Sequence, residues 1–229
     1  MFSYYGSKSK IVGCYPTPKF DKIIEPFAGS ARYSLEHFEK DVLLIDKYEV
    51  IIKVWHYLQA ASERDIMSLP KLKKGDCIDD YNLDEGAKYF LGFLVTRGVE
   101  SPRRFVSSFV NDITPALKWV ASSLFKIKHW DIRLDDYRNI DNEKATWFID
   151  PPYQFGGEYY KESNKEIDYS ELAGWCKIRQ GQIIVCENSK ASWLPFKQMV
   201  KLTGSMYTTN EVIWSNQPMV YDNEQIPLF

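Results

Sequence analysis

Short apolar runs recur along the chain and predict the strands of a buried sheet. Four of them occupy positions 23–27, 41–46, 145–149 and 182–187. Runs that are apolar at consecutive positions are typical of parallel strands, which are covered on both faces. Stretches of helical character separate the runs, and crossover connections then place helices on both faces. Two further runs, at 197–203 and 211–215, predict a hairpin that closes the sheet, so the pattern indicates an α/β fold.

The stretch from 62 to 127 departs from this alternation. Pro70, Gly75, Gly98 and Pro102 punctuate it, and the pieces between them have helical character. A chain of 229 residues with 45% hydrophobic content can bury one sizeable core. We therefore expect residues 1–61 and 128–229 to form one domain around the sheet, with 62–127 as a helical insertion.

The segment Asp150-Pro151-Pro152-Tyr153 follows the apolar run at 145–149 directly. Proline cannot donate ladder hydrogen bonds, so the strand stops there and presents a carboxylate and a carbonyl at its carboxyl end. Ligands of open α/β sheets bind at that end. Two acceptors can hold an exocyclic NH2 group while the tyrosine ring stacks on a planar base. The alternative is a Pro-Pro turn whose Asp caps the next segment.

A second candidate site begins at the first strand, where 23–27 runs into a turn at Gly29 and a helix is predicted from Ser30 onward. A glycine lets the backbone approach a ligand closely, and a helix start offers free N–H groups. The next strand ends on Asp46, at the spacing of an acid that takes ribose hydroxyls. The alternative for Asp46 is a helix cap before Glu49.

Together these segments resemble the Dam-type DNA adenine N6-methyltransferases, in which the S-adenosylmethionine (AdoMet) motif precedes the catalytic motif. Residues 4–8, Tyr-Tyr-Gly-Ser-Lys, resemble the amino-terminal AdoMet segment of that family, and residues 25–30, Glu-Pro-Phe-Ala-Gly-Ser, resemble its Phe-x-Gly-x-Gly motif. Asp46 stands where the family has its ribose-binding acid, and Asp131 resembles the acid that contacts the cofactor adenine. The chain departs from the family at Ala31, which replaces the last glycine. We expect this alanine to be sterically mild at the helix start and to alter cofactor affinity only.

The resemblance implies a Rossmann-like AdoMet-dependent methyltransferase sheet and a site-specific transfer of a methyl group to adenine N6 of a flipped-out base in double-stranded DNA. Asp150 and the Pro151 carbonyl would accept the two N–H bonds of the amine, and Tyr153 would stack on the base. The implied cofactor-binding residues are Tyr4, Lys8, Glu25, Phe27, Ala28, Gly29, Ser30, Asp46, Asp131 and Asp150. RNA stays open as a substrate, and a non-catalytic AdoMet-binding or DNA-binding module is the alternative from another class.

Net charge is −2, so any contact with nucleic acid must be local. Between positions 97 and 133 basic residues outnumber acidic ones by seven to three. Arg97, Arg103 and Arg104 are the predicted DNA contacts, and the lysines at 71, 73 and 74 are weaker candidates. A solvated helix face explains these clusters almost as well. In the resembled family the insertion carries target recognition.

Cysteine and histidine positions are scattered, which gives no indication of a metal site or a disulfide framework. The chain also has no apolar run of membrane-spanning length and no signal-peptide core at its amino terminus. We expect a cytoplasmic protein of a bacterial or phage-infected cell.

The last five residues, Gln-Ile-Pro-Leu-Phe, resemble the short peptide with which bacterial replication and repair proteins bind the sliding clamp. Leu228 and Phe229 would be adjacent apolar anchors, and the proline limits the disorder lost on binding. The predicted clamp contacts are Gln225, Ile226, Leu228 and Phe229. In the alternative, the two apolar residues pack on the surface of their own domain.

Overall fold

The computed structural model describes residues 1–218 apart from positions 3, 5, 10, 97–98, 107–111, 157–163 and 204–207. Strands and helices alternate along most of this length, as the apolar pattern predicts. The strands are β1 (Lys22–Glu25), β2 (Asp41–Asp46), β3 (Asp131–Leu134), β4 (Ala145–Ile149), β5 (Gly181–Asn188), β6 (Lys197–Thr203) and β7 (Thr208–Ser215). The helices are α1 (Arg32–Glu36), α2 (Glu49–Ala60), α3 (Glu63–Met67), α4 (Glu85–Leu94), α5 (Thr114–Ser123) and α6 (Tyr169–Lys177).

All seven strands form one sheet in the order β3-β2-β1-β4-β5-β7-β6. The first five strands of this order are parallel, whereas β7 runs antiparallel to β5 and pairs with β6 as a hairpin. The strand order reverses between β1 and β4, which makes their carboxyl ends the topological switch point of a doubly wound sheet. The predicted α/β class, its parallel strands and its terminal hairpin are confirmed.

Both faces of the central strands are buried because side chains alternate between two apolar cores. In β1, Ile23 packs into the core under α2, whereas Ile24 packs into the core under α6. In β4, Phe148 belongs to the first core and Trp147 to the second. A strand with two buried faces needs apolar residues at consecutive positions, which explains why these runs are visible in the sequence.

Strand β3 was not expected, and its burial explains why. Ile132 is its buried residue, while the other three positions of the strand are exposed. An edge strand with one buried side chain gives no apolar run. The strand is nevertheless fixed in register beside β2, with Leu134 level with Asp46.

The segment 62–127 contains α3, α4 and α5, which irregular stretches connect, and an isolated β-bridge joins Cys77 to Phe105. A capping box between Ser62 and Asp65 begins α3. Phe90 on α4 and Leu117 on α5 belong to the same apolar core as the α2 face of the sheet. The inserted helices therefore extend that face as a further layer. No helix among the described residues is long and apolar enough to cross a membrane.

Candidate active site

A cleft with about 960 Å³ of space, part of it open to solvent, lies where the carboxyl ends of β1, β2, β3 and β4 meet. The cleft is lined by segments that follow each of these four strands, by the start of α1 and by residues near the amino terminus. Its lining includes Tyr4, Lys8, Glu25, Phe27, Ala28, Gly29, Ser30, Ala31, Asp46, Asp135, Asp136, Tyr137 and Asp150. The structure thus brings together most of the residues that the two sequence motifs singled out.

The turn after β1 contains two residues with a left-handed backbone conformation, Gly29 and Ala31. Gly29 has a φ of +44°, and a Cβ atom at this position would lie 3.2 Å from the ring of Tyr4. Ala31 also has a positive φ, +43°, and it is the N-cap of α1. A left-handed conformation costs an alanine about 1–2 kcal/mol. The expectation that Ala31 is sterically mild was therefore wrong, because the backbone here has a conformation that favours glycine.

Asp46 fixes this turn from the neighbouring strand. Its Oδ2 atom accepts a hydrogen bond from the Gly29 N–H at 2.9 Å, and its Oδ1 atom accepts one from the Tyr48 N–H at 2.9 Å. The formal N-cap of α2 is Tyr48, which has no capping side-chain bond. Asp46 therefore supports the helix start from two residues upstream and also lines the cleft. A carboxylate has about four acceptor positions, so it can bond to several donors at once.

The amino-terminal segment is held against α1 by polar contacts. Arg32 Nη2 donates to the Phe2 carbonyl at 2.8 Å, and Arg32 Nε donates to Ser7 Oγ at 3.1 Å. Ser30 Oγ also donates to Ser7 Oγ at 3.1 Å. These contacts place Tyr4 and Lys8 on the cleft wall, close to the motif that follows β1.

A buried polar cluster lies at the end of β4. Lys8 Nζ is 3.0 Å from Asp150 Oδ1 and 3.7 Å from Glu211 Oε1, and it donates a hydrogen bond to the Tyr153 hydroxyl. The Tyr153 hydroxyl in turn bonds to Glu211 at 2.9 Å, and the Tyr15 hydroxyl donates to Glu211 at 2.8 Å. The Lys8 ammonium also lies 4.5 Å from the centre of the Tyr153 ring.

Burial perturbs two carboxyl groups of the cleft. It raises the pKa of Asp150 to about 6, and the nearby Glu211 acts in the same direction while Lys8 opposes both. Burial also raises the pKa of Glu25 to about 8, although Glu25 Oε1 accepts a hydrogen bond from the Ser34 N–H at 2.8 Å. At neutral pH the Asp150 carboxyl is therefore mostly ionised and the Glu25 carboxyl mostly protonated.

The loop that carries Asp150 is held from two sides. The Pro152 carbonyl accepts a bond from the Tyr169 hydroxyl at 2.6 Å, and the Gln154 N–H donates to Glu187 Oε1 at 2.7 Å. Asp150 and Pro152 line the cleft, whereas Pro151 and Tyr153 are not among its lining residues. Pro151 is buried and Tyr153 is half-buried.

Asp131 does not lie in the cleft. It is the first residue of β3, exposed and ion-paired with Arg133, and it is level with Leu43 in the middle of β2. At about 3.3 Å per residue, Asp131 is roughly 10 Å from the end of the strand. The acids at that end are Asp135, whose N–H donates to the Asp46 carbonyl at 3.3 Å, and Asp136. The acid chosen from the sequence therefore lies at the opposite end of β3 from the cleft.

The predicted nucleic-acid contacts lie on the inserted segment. Arg103 and Arg104 are exposed, and Arg104 forms a surface ion pair with Asp79 at 2.6 Å. The lysines at 71, 73 and 74 are exposed as well. Arg97 and the carboxyl-terminal peptide, with its clamp contacts at 225, 226, 228 and 229, lie outside the described residues.

Sequence reasoning missed Glu211 and Tyr137. Glu211 is 2% exposed within β7, and an acid directly before the apolar run 212–214 is the signal that could have drawn attention to it. Tyr137 lines the cleft beside Phe27, with 5.4 Å between the ring centres. Its hydroxyl is buried and has no hydrogen-bond partner among the described residues. Nothing in the local sequence marks this tyrosine, because the turn that holds it follows the unexpected strand β3.

No protein-family model and no curated protein matches the chain. Solved structures give distant likenesses. The rRNA methyltransferase AviRa from Streptomyces viridochromogenes is 12% identical with a TM-score of 0.42, over 90% of this chain and 80% of that chain. A candidate methylase from Haemophilus influenzae, HI0767, is 9% identical with a TM-score of 0.38, over 91% and 84%. A conserved hypothetical protein from Streptococcus pyogenes is 10% identical with a TM-score of 0.35, over 84% of each chain. Likenesses at these scores carry no argument about function.

Proposed function

We propose that the chain is an AdoMet-dependent methyltransferase that transfers a methyl group to adenine N6 of a flipped-out base in DNA. One observation carries the proposal. The Gly29 turn, Asp46 and Asp150 are far apart in the sequence, yet they line a single cleft at the switch point of the sheet. A nucleoside-type cofactor and a planar base both bind at such a position in doubly wound sheets.

The lining chemistry fits AdoMet. Asp46 can accept hydrogen bonds from ribose hydroxyls, and the paired rings of Phe27 and Tyr137 offer apolar contact for a purine. Acidic side chains outnumber basic ones in the lining, which suits a ligand that carries a sulfonium and an ammonium group. When bound, the cofactor supplies a methyl group that is activated by its sulfonium. Tyr4, Gly29 and Asp46 would hold it against the turn after β1.

Asp150 is the group that would act on the substrate. The amine of adenine is a poor nucleophile because its lone pair is delocalised into the ring. An ionised Asp150 and the Pro151 carbonyl would accept its N–H bonds and favour a tetrahedral nitrogen. As the bond between the nitrogen and the methyl carbon forms, the bond from that carbon to the cofactor sulfur would break and S-adenosylhomocysteine would leave. The nitrogen would then be cationic and would lose a proton, which Asp150 can accept. Tyr153 would stack on the base from the ring face that does not meet Lys8.

The inserted helices would supply the contacts to DNA. Arg103 and Arg104 are exposed side by side, and the next residue, Phe105, is 66% exposed. Adjacent cationic and aromatic side chains suit phosphates and unstacked bases. This surface supports a nucleic-acid substrate, and the choice between DNA and RNA is left to experiment.

The test is to incubate the purified chain with AdoMet carrying a labelled methyl group and with double-stranded DNA or RNA of equal base composition. Digestion followed by mass spectrometry should identify N6-methyladenine in the DNA. Label in the RNA alone would replace DNA by RNA as the substrate. Absence of label from both, with AdoMet binding retained, would leave the non-catalytic alternative. Sequencing of methylated DNA from cells that express the chain would give the recognised site.

We also propose that residues 225–229 dock on a bacterial sliding clamp, which would keep the enzyme at newly replicated DNA. The proposal rests on the peptide sequence alone. Titration of a bacterial clamp with the intact chain and with a chain that lacks the last five residues tests it. Equal binding by both, or no binding by the intact chain at tens of micromolar, would contradict it.

A further inference from the structure

We infer that Glu211 is a positioning residue that takes the Lys8 ammonium from Asp150 when the target amine enters, leaving the Asp150 carboxylate to that amine. The inference rests on the proposed methyl transfer and adds to it a residue from β7. Glu211 would not touch the substrate. It would act through Lys8 and through the Tyr153 hydroxyl, both of which it contacts in the structure.

The contacts of Lys8 show why Asp150 is not yet available. The ammonium is 3.0 Å from Asp150 Oδ1, and the Lys8 side chain is 9% exposed while that of Asp150 is 21% exposed. An amine that approaches Asp150 meets a carboxylate already engaged by a cation. The same cation would also oppose the positive charge that develops on the target nitrogen. Two like charges at so short a distance repel each other strongly in a site with little water.

Glu211 offers a second acceptor within a short movement. Its Oε1 atom is 3.7 Å from Lys8 Nζ, so a shift of about 1 Å would bring the ammonium to ordinary hydrogen-bond distance. Glu211 is already oriented by the hydroxyls of Tyr15 and Tyr153. The Tyr153 hydroxyl accepts from Lys8 and bonds to Glu211, so it links the two positions of the ammonium.

The charge of the cluster supports this role. Lys8 contributes one positive charge, and among the described residues the carboxylates of Asp150 and Glu211 lie within 4 Å of it. With Glu211 neutralising Lys8, the Asp150 charge remains to stabilise the cationic nitrogen. Without Glu211, Lys8 would neutralise Asp150 instead, and the developing charge would face a neutral cluster.

A double-mutant cycle tests the inference through kcat at saturating AdoMet and DNA. Glu211→Gln should lower kcat by about 50-fold when Lys8 is present, because the ammonium then stays on Asp150. In the Lys8→Met background the same substitution should change kcat by less than about 3-fold. The matched control is Glu187→Gln, since Glu187 is equally buried at the end of β5 but contacts Gln154 and Trp193 instead of Lys8. Its effect should be the same in both backgrounds.

Equal losses from Glu211→Gln with and without Lys8, in folded proteins, would overturn the inference while leaving the methyltransferase proposal intact. An inactive wild type would overturn both. If Glu211→Gln does not fold, Glu211→Asp takes its place, because it keeps the charge on a shorter side chain. It should lower kcat by about 5-fold, and this loss should again disappear with Lys8→Met.

The pH profile gives an independent readout that a purely structural role would not change. Burial raises the pKa of Asp150 first, and the charge of Glu211 raises it further. Glu211→Gln should therefore move the acidic limb of the kcat profile to lower pH. The other ionisable groups that face Asp150 are unchanged in this variant: Lys8, Tyr15, Glu25, Tyr153, Cys186 and Glu187. An acidic limb that stays in place or moves upward would contradict the inference.

Discussion

The floor of the cleft and the surface of the segment 62–127 both contain short ion pairs, but in different surroundings. Lys8 and Asp150 are 3.0 Å apart with side chains 9% and 21% exposed, whereas Arg104 and Asp79 are 2.6 Å apart with side chains 70% and 40% exposed. The shorter pair is the weaker one, since exposed pairs contribute about 0–1 kcal/mol and are screened by salt. In the cleft, each charge changes the ionisation of its neighbours.

Because of this difference, substitutions in the two regions should change different measured quantities. Substitutions in the cleft should change kcat, pKa values and cofactor affinity with little dependence on salt. Substitutions on the inserted surface should change DNA affinity and its salt dependence, and they should leave the chemistry intact.

The largest effect is expected from Asp150→Ala. This variant should lose at least about 100-fold in kcat because the acceptor for the target amine disappears. AdoMet binding should be retained. Methyl transfer and calorimetric AdoMet binding, measured on the same preparation, give the two readouts. Near-wild-type turnover on adenine-containing DNA would contradict the assignment of Asp150.

The buried Glu25 carboxyl should make the free energy of unfolding depend on pH. The pKa of Glu25 is raised from 4.5 to about 8 in the folded chain, so the folded state binds the proton more tightly than the unfolded state. The stabilisation is complete below the unfolded pKa and is lost as pH rises through the folded pKa of about 8, by about 5 kcal/mol in all.

Glu25→Gln should remove this loss of stability. The free energy of unfolding of the variant, relative to that of the wild type, should therefore be higher at pH 9 than at pH 6. Urea unfolding at both pH values measures it. Glu36→Gln, at an exposed position on α1, is the matched control. Equal pH dependence in Glu25→Gln and wild type would show that Glu25 is not a buried acid of this kind.

Asp46→Ala should weaken AdoMet binding by about 1.5–3 kcal/mol through lost hydrogen bonds to the ribose. Because Asp46 also bonds to Gly29 and Tyr48, circular dichroism must show that the variant is folded. Asp131→Ala is the control and should bind AdoMet with unchanged affinity, since Asp131 lies outside the cleft. Unchanged affinity in folded Asp46→Ala would restrict Asp46 to supporting the turn and α2.

Replacement of Arg103 and Arg104 by Ala tests the inserted surface. DNA affinity should fall, and the slope of its logarithm against the logarithm of salt concentration should flatten by about two. AdoMet affinity should not change. Replacement of Lys22 and Lys40 by Ala provides a control with the same loss of charge. These lysines lie at the amino-terminal ends of β1 and β2, and each is paired with an acid. An identical salt slope in both double variants would remove the surface from the proposal.

The smallest effect is expected at Ala31. Ala31→Gly should increase the free energy of unfolding by about 0.5–1 kcal/mol, because relief of the left-handed strain exceeds the entropy that glycine adds to the unfolded chain. Ala28→Gly is the control: Ala28 is buried in the same turn without a positive φ, so this change should be destabilising. Denaturant titration of both variants measures the difference, and a loss in both would argue against strain at Ala31.

The parallel strands, the hairpin and the positions of Gly29, Asp46 and Asp150 after strand ends could all be predicted from the sequence alone. This is possible because a doubly buried strand must be apolar at consecutive positions, and Pro-Pro ends a strand wherever it occurs. Strand β3 escaped because its single buried residue leaves no such run, and this led to the choice of Asp131 instead of Asp135 and Asp136.

Only the tertiary structure decided the cluster of Lys8, Asp150 and Glu211, because its members come from the amino terminus, the end of β4 and a strand near the carboxyl terminus. It also decided the left-handed conformation of Ala31. Local patterns report which faces of an element are buried, whereas the distances between charges depend on strand order and register. A pKa shift arises from those distances and from the removal of water, so no local pattern contains it.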